Sequence, residues 1–184
     1  MTKTTSITEA LAELKTIQKR IDSKVDFINR NVSRREELRD PLDKQGGSSK
    51  IIAEERQAVG DLYEQQIAIR RAIAAVNAVE QVAVDGQTRT IADWLVWKRE
   101  VAPAEQRQLR NLAVMIDRAR QEASRTGKQV VGVAVAQSGE AKPGDIIVNI
   151  NEQELQQQIE RLETVFGTLD GLLSLKNATL QVTY

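Results

Sequence analysis

Chemistry in this chain has to be done without thiols or imidazoles, because none of its 184 residues is cysteine or histidine. Thiolate nucleophiles, disulfides, imidazole general bases and the common zinc sites are excluded together. Carboxylates remain. Their tightest groupings are Glu36-Glu37, Asp40 with Asp43, and Glu54-Glu55. Oxygen-only coordination of magnesium or calcium is the one chemistry such groups could assemble unaided. Acidic clusters of this kind are ordinarily solvated helix ends, and that reading is preferred. The expectation is therefore no catalytic, cofactor-binding or metal-binding residue, no cofactor, and no enzyme. Gly46-Gly47 and the glycines from Gly139 to Gly144 lack the spacing and the lysine of a phosphate-binding loop. Asn31-Val32-Ser33 and Asn177-Ala178-Thr179 match the glycosylation triplet, but no secretion signal accompanies them.

Charge and composition narrow the partners. Lysine plus arginine and aspartate plus glutamate both total 26, so no global basic balance suggests nucleic acid. With two Phe, two Tyr and two Trp, stacking platforms for single strands are poorly supplied. The opening residues carry no apolar leader, and no run of about 18 uninterrupted apolar residues occurs. No specific nucleic acid and no membrane are expected as partners, and the cytoplasm is the expected place of synthesis. The charge is uneven along the chain. Arg107, Arg110, Arg118, Arg120, Arg125 and Lys128 make Pro103–Lys128 basic, whereas Ser138–Gly171 is acidic. Three readings stand: the acidic part folds onto the basic helix, the two meet between subunits, or the basic helix meets phosphate backbone.

The elements follow from periodicity. Ile7, Leu11, Leu14, Ile17, Ile21, Val25, Ile28 and Val32 recur at three- and four-residue spacing behind a Ser6/Glu9 capping box. Asp40-Pro41 is the expected stop, and Gln45-Gly46-Gly47-Ser48-Ser49 reads as a mobile connector. Ile52, Glu55, Val59, Leu62, Gln66, Ile69, Ile73 and Val76 form a matching second seam. The pair predicts a long antiparallel helical hairpin with Leu14, Ile21, Ile28, Leu62, Ile69 and Ile73 buried. Polar Glu55 and Gln66 either fix register or sit at the seam's edge and reach water.

Asp85-Gly86 between alternating residues predicts a β-hairpin, and Thr90 caps a helix carrying Trp94, Leu95 and Trp97. Pro103 predicts a kink or restart, and Gly127 a stop. Val130–Val135 and Asp145–Ile150 read as strands, Asn151–Glu154 as a capping box, and Thr179–Tyr184 as a last strand. That strand either completes a sheet with Val130–Val135 or adds to a sheet in a neighbouring subunit, since an uncovered edge invites aggregation. No internal repeat stands out beyond the run Gln156-Gln157-Gln158. The fold class expected is mainly α: a long antiparallel helical hairpin, a small β-hairpin, a kinked third helix and a C-terminal β-β-α-β appendage. The domains expected are 1–127, helical, and 128–184, a small α+β module.

Three stretches carry a family likeness. They are Ile7-Thr8-Glu9-Ala10-Leu11, the segment from Ile69-Arg70-Arg71-Ala72-Ile73 to Asn77, and Asp85-Gly86-Gln87-Thr88-Arg89-Thr90-Ile91-Ala92-Asp93-Trp94-Leu95. Over residues 6–120 the chain resembles the septicolysin-like family of small bacterial helical proteins, where a similar Asp-Gly turn joins a long helix to the next. The resemblance implies the helical fold, and its name implies a toxin. Lys128–Tyr184 falls outside it and suggests an added assembly module.

The leading expectation is a non-enzymatic structural protein acting as a homo-oligomer and meeting other protein subunits of an assembly. A virion component of a tailed bacteriophage, a capsid decoration or head-stabilising protein, is its concrete form. A septicolysin-like toxin is the alternative, although no basic amphipathic helix with aromatic anchors accompanies it. A carboxylate- or metal-dependent enzyme ranks third.

Overall fold

The computed structural model describes residues 2–184, the side chain of Ala134 excepted. The protein is mainly α-helical, with three two-stranded sheets among the described residues. It divides into two compact units, Met1–Glu80 with Leu173–Tyr184, and Gln81–Leu172. Neither edge coincides with the boundary at residues 127 and 128 expected from the sequence.

The first unit is built on the expected hairpin of α1 (Ile7–Asn31) and α2 (Ser48–Val79). Strand β1 (Thr4–Ser6) leads into α1 through the capping box: Ser6 Oγ accepts the Glu9 amide at 3.2 Å, and Glu9 Oε2 accepts the Ser6 amide at 3.0 Å. Ile7, Ala10, Leu14, Ile17 and Ile21 pack against Val59, Leu62 and Ile69, with Ile28 and Ile73 half-buried beside them. Fully burying each leucine, isoleucine or valine of this seam contributes about 1.5–3 kcal/mol. Both polar seam residues find partners across the hairpin. Glu55 pairs with Lys24, and Gln66 Nε2 donates to Gln18 Oε1 at 3.0 Å.

Helix α1 ends earlier than Asp40-Pro41. Val32 has nothing to bury against and is 66% exposed, while the Asn31 side chain turns back to donate to Phe27 O at 2.8 Å. The glycine connector is also more ordered than its composition suggests. Asp43–Gln45 forms a 3₁₀ turn, and Ser48 and Ser49 already belong to α2. Gly46 and Gly47 take φ values of 101° and 91°, which a side chain would resist.

The second unit opens with the Asp-Gly hairpin, β2 (Gln81–Val84) against β3 (Gln87–Thr90). Thr90 caps α3 (Ile91–Val96), and a π-helical turn, Trp97–Val101, leads into α4 (Ala102–Thr126). The kink expected at Pro103 is thus a widened turn within a continuous helical run. Proline has no N–H for the carbonyl of residue 99 and would crowd it, so a wider turn relieves both problems. Strand β4 (Val130–Gly132) pairs in parallel with β5 (Ile146–Val148), joined through the short helix α5 (Val133–Gln137). Both strands are shorter than the sequence suggests, because each offers the other three residues. Leu109 and Ile116 of α4 pack with Val148 and with Leu155 of α6 (Glu152–Thr179). Arg120 pairs with Glu152, so the basic helix and the acidic segment do meet within the chain.

The last strand, β6 (Gln181–Thr183), takes neither of its expected partners. It lies antiparallel to β1, with Ser6 opposite Gln181 and Thr5 opposite Val182. Val182 enters the α1/α2 core and is 2% exposed. The β-β-α-β segment is therefore an order of elements along the chain and not one sheet.

This pairing exposes an internal repeat that the sequence reading missed. The hairpin β2–β3 has the same register: Thr90 opposite Gln81 and Arg89 opposite Val82. Ser6 and Thr90 cap their helices with φ, ψ of −66°, 156° and −65°, 157°. Ile7 corresponds to Ile91, each 1% exposed. Helices α2 and α6 match at an offset of 100 residues: Asn77-Ala78 and Gln81-Val82 recur as Asn177-Ala178 and Gln181-Val182, and buried Ile69 as buried Leu169. Each repeat runs strand, helix, connector, helix, strand; the sheets β1–β6 and β2–β3 each take one strand from either repeat, and β4–β5 lies within the second repeat's connector.

Truncating Ile69 to alanine removes one of the most enclosed side chains of the hairpin. Ile69→Ala is expected to destabilise the protein by about 2–5 kcal/mol, seen as a lower denaturant midpoint with unchanged slope. A loss below about 1 kcal/mol would show that the seam collapses without it.

Candidate functional site

The acidic groups singled out in the sequence do not converge. Asp43 pairs with Arg39 at 2.9 Å, Glu54 with Lys50 at 3.9 Å, and Glu55 with Lys24, while Glu36 and Glu37 lie in an exposed turn. Among the described residues no group of three or more acidic side chains is placed to hold a metal ion. Asp40 has a structural task. Oδ2 accepts the Ser48 amide at 2.8 Å, Oδ1 accepts the Leu42 amide at 2.9 Å, and the Ser48 hydroxyl also donates to the carboxylate. The residue at the N-cap of α2 is Gly47, which offers no side chain, so a carboxylate eight residues upstream of Ser48 satisfies that helix end. These donors, the Ser48 hydroxyl foremost, pull the Asp40 carboxyl down to about 2.

One concavity lies in the second unit, an open groove of about 490 Å³ beside the Asp-Gly hairpin. Arg89 of β3 lies over the face of Trp94, 4.9 Å from its centroid, and donates to Gln87 Oε1 at 2.7 Å. Trp94 is held in turn by its indole N–H, which donates to Val82 O at 2.9 Å. Trp97 meets Trp94 edge-on at 5.5 Å. On the opposite wall Arg161 of α6 pairs with Asp85 of the hairpin turn, and Glu105 of α4 completes the acidic lining. Two guanidinium groups, two carboxylates and an indole edge can hydrogen-bond and stack, and their charges balance. In the sequence Asp85, Trp94 and Trp97 stand out only as structural markers, and Gln87 and Arg89 only within the stretch that carries the family likeness.

The repeat shows what occupies the same place in the first unit. Val84, Gln87 and Trp97 line the groove, and their counterparts are Tyr184, Lys3 and Glu13. Those three close on one another. Lys3 pairs with Glu13, and the Tyr184 hydroxyl donates to Glu13 Oε2 at 2.8 Å. Lys3 and then Tyr184 hold the Glu13 carboxyl below its ordinary range, whereas burial, followed by Glu13, raises the Tyr184 phenol. Tryptophan lining is thus a feature of the second unit, and an ion-paired plug of the first.

A second, apolar groove of about 370 Å³ also lies in the second unit. Ala102 and Pro103 at the start of α4 form one side, and Leu162, Phe166 and Gly167 of α6 the other. Lys98 crosses the Phe166 ring at 5.3 Å and pairs with Asp170.

No family model matches the chain, and no curated protein or solved structure shows significant similarity to it. The septicolysin-like resemblance rests on its motif residues alone. Among the described residues, no helix is long and apolar enough to cross a membrane.

The Asp40 lock sets a pH window. Its carboxyl has a lower proton affinity folded than unfolded, so its stabilising contribution is complete above the ordinary value of 3.8 and is lost as pH falls toward about 2. A carbon-detected NMR titration should give Asp40 a midpoint near 2, and Ser48→Ala should move it upward. A wild-type midpoint at the ordinary value would mean the Asp40–Ser48 lock is open in solution.

Proposed function

We propose that this protein is a non-enzymatic structural component that works as a homo-oligomer and docks with other protein subunits of an assembly. The observation that carries the reading is the distribution of exposed apolar side chains on long helices. Tyr63 and Ile67 stand one turn apart on α2, each 47% exposed. Val114 and Met115 are exposed on α4, at 46% and 55%. Single exposed apolar residues are ordinary, but neighbouring ones on a rigid helix face mark surfaces that another protein covers.

The carboxylates are compatible with the same reading, since Asp43, Glu54 and Glu55 each go to a separate ion pair and Asp40 to a helix cap. The polar groove is compatible with it too: its guanidinium groups are already engaged, Arg161 by Asp85 and Arg89 by Gln87, which suits recognition more than turnover. A virion component of a tailed bacteriophage, decorating or stabilising the capsid, is the setting we propose for such an assembly. Capsid genes beside its coding sequence would support that setting.

Sedimentation equilibrium across the micromolar range tests the oligomer. A mass above that of the 20.5 kDa chain, rising with concentration, is expected. A strictly monomeric protein throughout that range would overturn the homo-oligomer.

A further inference from the structure

The two repeats present opposite surfaces at equivalent positions of α2 and α6. On α2, Tyr63 and Ile67 project as an exposed apolar ridge. At the offset of 100 residues, their counterparts on α6 are Glu163 and Gly167, which line the apolar groove over Phe166. One repeat carries a knob where the other carries a hole. The flanking charges differ as well. Along the ridge face, at three- and four-residue steps, stand Arg56 and Arg70, and their counterparts are Gln156 and Asp170. Gly60, also on the ridge face, becomes Glu160 beside the groove. The ridge thus carries Arg70 one turn from Ile67, with Glu64 on its other side, and the groove carries Glu163 one turn from Gly167, while Lys98 neutralises Asp170.

We infer that a second copy of this chain occupies the groove, and that copies join head to tail. The Tyr63/Ile67 ridge of one protomer seats against Pro103, Phe166 and Gly167 of the next. The inference rests on the homo-oligomer proposed above and specifies its contact. Shape admits this occupant, because Gly167 leaves an open position beside Phe166 where the equivalent helix carries Ile67; a Cβ added at Gly167 meets nothing within 4 Å. Charge selects it too, since Arg70 stands one turn from Ile67 and Glu163 one turn from Gly167, and neither forms an ion pair among the described residues. A contact between unlike surfaces is heterologous. Each protomer keeps one free ridge and one free groove, so association continues beyond a dimer until a ring closes or a filament grows.

Two exposed-site substitutions test this in the full-length protein. Ile67→Glu removes the knob and leaves the groove. Gly167→Trp fills the groove and leaves the knob, and it replaces a helix-weakening glycine at an open position. Each variant alone should self-associate roughly tenfold to a hundredfold more weakly than wild type, the loss expected for one buried isoleucine. Mixed together, they should form a one-to-one complex of twice the monomer mass and no larger species, because one intact ridge meets one intact groove. Circular dichroism and the thermal midpoint, unchanged or raised, establish that each variant is folded.

If wild type associates but Gly167→Trp associates equally well, the groove is not the contact and this inference is overturned while the oligomer survives. If Ile67→Glu and Gly167→Trp fail to combine although each is folded and weakened, the contact is not head to tail. If wild type is monomeric, both readings fall. Raised ionic strength should weaken wild-type association, since exposed pairs are screened over about 8 Å at physiological salt, and insensitivity to salt would count against the charge pairing.

Discussion

Everything in the first unit depends on Val182 reaching the seam between α1 and α2. Its strand pairs with Thr4–Ser6 at the very start of the described chain, so a contact across nearly the whole sequence closes the fold. Closing so long a loop costs only slightly more entropy than closing a short one, because the cost grows with the logarithm of its length. The return is a fully enclosed valine, three ladder pairs and the burial of Ile7 beneath them. Because β1 runs straight into the Ser6 cap, the strand pairing holds the start of α1 against the seam that its apolar face forms with α2.

The same device, strand to cap to helix, recurs at β3 and Thr90, and this recurrence gives the molecule its internal contrast. Equivalent backbones carry different side chains. Lys3, Glu13 and Tyr184 tie themselves together in one unit, while Gln87, Trp97 and Val84 leave an open groove in the other. Equivalent helices likewise present Tyr63 and Ile67 in one repeat, and Glu163 and Gly167 in the other. A repeat whose copies had stayed alike would offer two like surfaces. One whose copies have diverged in opposite senses offers two complementary ones, and that supports reading the protein as a unit of assembly.

Polar groups in these helices are used for placement. Glu55 with Lys24 and Gln66 with Gln18 bridge the hairpin at its seam, where their partial burial requires partners. Asp40 caps a helix whose own N-cap position is glycine. Such groups contribute modest stability individually. Their greater effect is on specificity, because a register slip of the hairpin would leave several of them unpaired at once.

The two long helices, the Asp-Gly hairpin and the caps at Ser6 and Thr90 were legible in the residues, because each is a local consequence of spacing, turn chemistry and capping. The apolar recurrence from Ile7 to Ile28 and from Ile52 to Val76 determines helices and a buried face without reference to anything distant. Partner choice was not legible. A three-residue strand such as Gln181–Thr183 carries no record of which edge it joins, and its burial depends on where Ile7 and the α1/α2 seam stand in space. The π-turn before Pro103 and the Asp40 lock on Ser48 likewise arise where distant or competing demands meet. The repeat escaped notice because its halves align at different offsets, and because few identities persist where burial asks only for an apolar side chain. The grooves were least legible of all: Arg89 and Trp97 come from a strand and the π-turn soon after it, but Arg161 comes from a helix far along the sequence. Local pattern determined the elements, and tertiary structure alone decided which side chains share a surface, since that depends on contacts between residues the sequence keeps apart.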